Sequence, residues 1–127
     1  MKMYEIIELA GLYGKIKDCK MPLKTSYKFS RLMRQIEKEQ VFFQEEMTKI
    51  IQSYAKIENG KIVYSQDGTS IIIIPGKEQE CNDKIYELKN LDVNIEGVAF
   101  SFEELENIEG LALTVAEMTC LYPLIEN

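Results

Sequence analysis

"LKTSYKFSRLMRQIEKEQVFFQEEMTKIIQSYAKIE", residues 23–58, contains neither proline nor glycine. Within it Phe29, Met33, Ile36, Gln40, Phe43, Met47, Ile50, Tyr54 and Ile57 follow one another at alternating steps of four and three. That alternation is an a/d seam, and it predicts one long helix, coiled-coil-like, with Gln40 as the single polar seam member. Thirty-odd residues at 1.5 Å each give a rod of roughly 50 Å. A compact domain of this length has a radius of gyration of only about 14 Å. Something must cover the excess seam, and the simplest candidate is a second copy, so a homo-oligomer is expected. Gln40 would fix its register.

The 127 residues suffice for one domain with a modest core. We divide it into a helical part, 1–58, and an α+β part, 59–127. A shorter helix is predicted over residues 3–17, where Ile6, Ile7, Leu9, Ala10, Tyr13 and Ile16 recur at helical spacing. Pro22 then opens the long helix. Asn59-Gly60 is read as the end of that helix. Lys61–Tyr64 and Ser70–Ile74 flank Asp67-Gly68 and predict a β-hairpin. The unbroken run Ile71–Ile74 suggests burial on both faces. A helix over 77–90 and a third strand through Leu91, Val93 and Ile95 complete the small antiparallel sheet. Ser101 with Glu104, and Thr114 with Glu117, are capping boxes that predict two short C-terminal helices ended by Gly110 and Pro123. The expected class is α+β.

Composition restricts the chemistry. There is no histidine, so Ser–His and Cys–His nucleophiles and histidine metal sites are absent. Cys19, Cys81 and Cys120 lack metal-ligand spacing and read as reduced, mostly buried thiols of a cytoplasmic protein. No phosphate-loop or dinucleotide-binding glycine pattern occurs. No apolar run is long enough to span a bilayer, and the first residues carry no secretory pattern. The carboxylates Glu103, Glu104, Glu106 and Glu109 read as a solvated helix face with a capping Glu104. No cofactor and no metal are expected, and the reading is of a non-enzyme.

Charge is unevenly spread. Residues 1–38 hold nine Lys/Arg and four Asp/Glu, whereas residues 39–127 hold six and seventeen. The acidic body, at net −6, disfavours general nucleic-acid binding. The basic residues concentrate at the start of the long helix. Lys24, Lys28 and Arg31 share one face, and Tyr27, Arg31 and Arg34 an overlapping one. Two readings follow. Lys24, Tyr27, Lys28, Arg31 and Arg34 form a site for an anion, such as the phosphates of a nucleotide with Tyr27 stacked on its base. Alternatively, these cations pair with acidic segments of the same chain or of a second copy.

"MPLKTSYKFSRLMRQIEKEQVFFQEEMTKIIQSYAKIENGKIV", "CNDKIYELKNLDVNIEGVAFSFEELENI" and "LTVAEMTCLYPLIE" together resemble small proteins from phages and prophages of Gram-positive bacteria. The shared pattern is Pro-Leu-Lys and Ser-Arg on a long charged helix, a Gly-containing hairpin and a Leu-Thr-x-x-Glu ending. The resemblance covers most of the chain and implies an origin rather than a mechanism. A phage origin leads to the expectation of a host-interaction protein in the bacterial cytoplasm. Such a protein would block a defence protein by binding it, or sequester a defence signal such as a cyclic nucleotide. The alternative is a virion or tail accessory protein.

Overall fold

Tyr54, not Glu58, is the last residue of the long helix. In a computed structural model describing residues 1–126, α1 spans Met3–Ile16 and α2 spans Leu23–Tyr54. The strands β1, Ile57–Glu58, and β2, Lys61–Ile62, pair antiparallel, and α3 (Glu78–Lys89), α4 (Phe102–Glu106) and α5 (Val115–Leu121) follow. A 3-10 turn over Tyr122–Leu124 follows α5. The class is α+β and mostly helical, as the periodicities predicted. No helix among the described residues is long and apolar enough to cross a membrane.

Asn59 and Gly60 explain why the helix stops short. Both have positive φ, +53° and +75°, and together form the tight turn between β1 and β2. Asn-Gly is the pair best suited to a two-residue hairpin turn, because that turn needs two left-handed residues. The helix therefore ends four residues before the expected position, and Ile57 leaves the seam for β1.

The chain divides into two compact units, Met1–Val41 with Asp92–Asn127, and Phe42–Leu91. In the first, α1 buries Met3, Ile6, Leu9, Leu12 and Ile16, and the first half of α2 buries Thr25, Phe29, Leu32 and Ile36. Leu9, Leu12, Tyr13 and Ile16 converge with Phe29, Leu32 and Leu121. Phe100 is wholly buried, its ring centroid 4.4 Å from that of Phe29. Its backbone is clamped by Leu124 and Glu126, at 2.7 and 2.8 Å. Phe29 and Ile36 are thus used inside the chain. Both capping boxes form as predicted. Ser101 Oγ accepts from the Glu104 amide at 3.1 Å, and Thr114 Oγ1 from the Glu117 amide at 3.2 Å. The helix opened by Ser101 ends at Glu106, before Gly110, because Asn107 caps it.

The expected third strand is not part of the sheet. Asp92 instead bridges to Lys2, and Val93 exchanges hydrogen bonds with Met1. The alternation at 91–95 marked an extended segment, and the nearest free backbone edge was the first two residues.

In the second unit three extended segments close on one another. The Lys56 amide donates to Ile72, the Ile72 amide to Val63 and the Val63 amide to Lys56. The Asp67-Gly68 turn forms, with the Asp67 carboxylate accepting from Ser65 Oγ and from the amide and hydroxyl of Thr69. Those bonds hold its carboxyl down at about 2, the Ser65 hydroxyl contributing most. The Ile71–Ile74 run is not buried on both sides. Ile71 to Ile73 are half-buried and Ile74 is exposed, because the unit's fully buried apolar set is only Ala55, Cys81 and Leu88. So thin a core predicts weaker local protection. Hydrogen exchange at the Lys56, Val63 and Ile72 amides is expected to be faster than at the Phe100 amide. Equal protection would show that the two units open together.

Candidate binding surface

The cations gathered near the start of α2 divide into two sets. One set is engaged by the chain itself. Segment 92–127 carries eight Asp/Glu and no Lys or Arg, and three N-terminal lysines reach into it. Lys2 pairs with Asp92 at 2.8 Å, Lys15 with Glu117 at 3.0 Å and Lys28 with Glu104 at 2.7 Å. The Lys2–Asp92 pair is largely exposed and the Lys15 side of the second pair is open to solvent, so both contribute little. The third is different. Both its side chains are only about one-fifth exposed, at 22% and 20%. Glu104 Oε1 also accepts from the Ser101 amide at 3.0 Å, so one carboxylate oxygen serves both the α4 cap and the ion pair, as Glu117 Oε1 does for the Thr114 amide and Lys15 at α5; burial is what sets the Lys28 pair apart. Lys28 lies 5.9 Å from the Phe100 ring centroid, within cation–π range. Lys28 and the amide of Ser101 hold the Glu104 carboxyl below the usual carboxylate range, Lys28 contributing most.

The other set faces solvent. Lys24, Tyr27, Arg31 and Arg34 are all exposed, and no carboxylate among the described residues lies within 4.0 Å of Lys24, Arg31 or Arg34. Lys38 extends them and is likewise exposed and unpaired among the described residues. The steps 24, 27, 31, 34, 38 are three, four, three, four. They define one stripe on α2, about 21 Å long at 1.5 Å per residue. At about 100° per residue the stripe lies opposite the buried Phe29, Ile36 and their neighbours. Lys28 falls between the two faces, which is why it can turn toward Glu104. The heptad relation of Lys38 to Lys24 and Arg31 was present in the sequence and is the signal that finds it.

A loop holds Arg31. Gln35 donates from Nε2 to the Glu96 carbonyl at 2.9 Å and accepts from the Glu96 amide at 2.8 Å. This fixes Gly97 under the Arg31 guanidinium, where a Cβ would come within 2.8 Å of a terminal nitrogen. Gly97 also has φ of +68°, a conformation that disfavours any side chain. Gly97→Ala is therefore expected to destabilise the protein by about 1 kcal/mol or more. It should also displace Arg31, readable as chemical-shift changes along residues 28–35. A variant as stable as the wild type would show that the loop yields freely.

A cleft of about 530 Å³ adjoins the start of α2, lined by Lys24, Lys28 and the carboxylates Glu103, Glu104 and Glu126, among others. Its mixed charge suits a phosphate poorly, because the carboxylates repel it. The seam residues beyond the first unit's core are only partly covered. Gln40, Phe43, Met47, Ile50 and Tyr54 are half-buried, as is Met33 nearer the start. Of the cysteines, only Cys81 is buried. Burial pushes the thiols of Cys81 and Cys120 up, and Glu8 adds to the shift at Cys120. Neither is set up as a thiolate nucleophile. Comparison with known protein families, curated proteins and solved structures finds no match.

Proposed function

We propose that the chain is a non-enzymatic, phage-type host-interaction protein that blocks a bacterial defence protein by docking the solvent stripe of α2 on an acidic surface of it. The observation that carries this reading is the division of cations: Lys28 is committed to Glu104, whereas Lys24, Arg31, Arg34 and Lys38 are exposed and unpaired among the described residues. Leaving four cations and Tyr27 on one helical face keeps local positive potential on a molecule of net −6. Complementary potential steers association with an acidic partner. Protein blocking is favoured over sequestration of a cyclic nucleotide, because the stripe is an open helical face. Small-molecule sites are concave, and the concave cleft nearby carries three carboxylates. The protein acts in the bacterial cytoplasm. The half-covered seam from Gln40 to Tyr54, with Val41 and Phe42 exposed beside it, supports a homo-oligomer.

The test is phage plating on bacteria that carry individual defence systems and express this chain. Wild-type protein is expected to restore plating on one such strain. The variant Arg34→Glu/Lys38→Glu, at equal cellular level, should lose most of that restoration, because reversing two charges of the docking face weakens binding to an acidic surface. Restoration untouched by the reversal would move the site off the stripe. Failure to restore plating on any strain would overturn the anti-defence reading and favour a virion contact.

A further inference from the structure

From the spacing of the stripe we infer that its partner presents an acidic amphipathic helix, with carboxylates repeating one heptad apart. This rests on the stripe being the docking face. Two interleaved heptad rows make up the stripe. Lys24, Arg31 and Lys38 form one, and Tyr27, Arg34 and Val41 form the other, with Tyr27 63% and Val41 57% exposed. Each row repeats about every 10.5 Å along a straight axis. A partner helix laid along it offers side chains at the same interval, so its carboxylates meet the first row in register. Tyr27 then supplies apolar contact between the charges and Val41, just past Lys38, supplies it at their end, as seam positions do in a two-helix interface. An extended strand would present same-face carboxylates about every 6.8 Å and drift out of register within two contacts.

Charge around the stripe narrows the partner further. The same unit holds segment 92–127, with its eight Asp/Glu and no base. A wide polyanion such as duplex DNA would bring additional phosphates against those carboxylates. A single helix, about 10 Å across, can follow the stripe alone.

The probes are a stapled helical peptide of about 20 residues with Glu at positions i, i+3, i+7, i+10 and i+14, a scrambled peptide of the same composition, and a short DNA duplex. Fluorescence anisotropy with the full chain reads binding at about 50 mM and about 300 mM salt. The patterned peptide is expected to bind at least tenfold tighter than the scrambled one. Its binding should weaken with salt and be lost in Arg34→Glu/Lys38→Glu. Equal affinity for both peptides, or no binding of either, would overturn the helical partner, and so would tighter binding of the duplex. If the peptides fail while the reversal still abolishes plating restoration, the docking face stands and only the partner class falls. If both fail, the stripe is not the binding surface.

Discussion

Phe100→Ala is expected to remove about a third or more of the protein's stability. Phe100 is 0% exposed and stands between Phe29 and the C-terminal strap, whose Leu124 and Glu126 pair with its backbone. Truncating a buried phenylalanine costs about 3–5 kcal/mol, part from lost transfer energy and part from the cavity left behind. A domain of this size has about 5–15 kcal/mol in total. Urea unfolding followed by circular dichroism should show the midpoint falling by a third or more. Phe100→Leu, which keeps most of the volume, should cost less than half as much. Equal costs for the two would mean that the ring contacts with Phe29 and Lys28 dominate over volume.

Lys28→Met is expected to destabilise the protein by about 2 kcal/mol, the second-largest single effect. Breaking a buried pair from one side costs about 3–5 kcal/mol, and the one-fifth exposure of both side chains reduces that. The cost arises because Glu104 stays charged while losing its strongest partner. Its other oxygen, Oε2, is already buried without a hydrogen-bond partner among the described residues. Glu104→Gln should cost less, about 1 kcal/mol, because the amide oxygen can still accept from Ser101. The pair also carries a pH signature. The folded carboxyl of Glu104 is held below its ordinary value of 4.5. Its contribution is therefore fully present above that value and is lost as pH falls through the lowered folded one. Wild-type stability should decline as pH drops below about 5, and Glu104→Gln should decline less steeply over the same window. Parallel pH curves for the two proteins would remove Glu104 from the account.

Local signals were the most legible part of the sequence. The two capping boxes need only residues three apart, and both formed with the predicted bonds. The long helix was clear except for its end, but the seam did not say which part would be buried; contacts with α1 and Phe100 select Phe29, and Ile36 is buried in the same unit. Asn59-Gly60 was ambiguous by nature. The pair can end a helix or turn a hairpin, and the β-branched Ile57 and Ile62 on either side decided for the hairpin. The alternation at Leu91, Val93 and Ile95 showed an extended segment but not its partner, which pairing across the chain supplied. The basic cluster was visible from composition. Its division was not, because Lys28 meets Glu104 across 76 positions and Gln35 meets Glu96 across 61. No local pattern encodes such contacts. The acidic, base-free segment 92–127 was nevertheless the counterpart the charge asymmetry required.

Lys28 is engaged within the fold by Glu104, whereas Arg34 and Lys38 are proposed to be held free for a partner. Thermal unfolding of Arg34→Glu/Lys38→Glu beside Lys28→Met separates cations that hold the fold from cations that do not. The stripe variant is expected to melt within about 3 °C of wild type, as for an ordinary surface change. The Lys28 variant should fall well below both. A stripe variant that melts as low as Lys28→Met would show that those cations are part of what holds the first unit together.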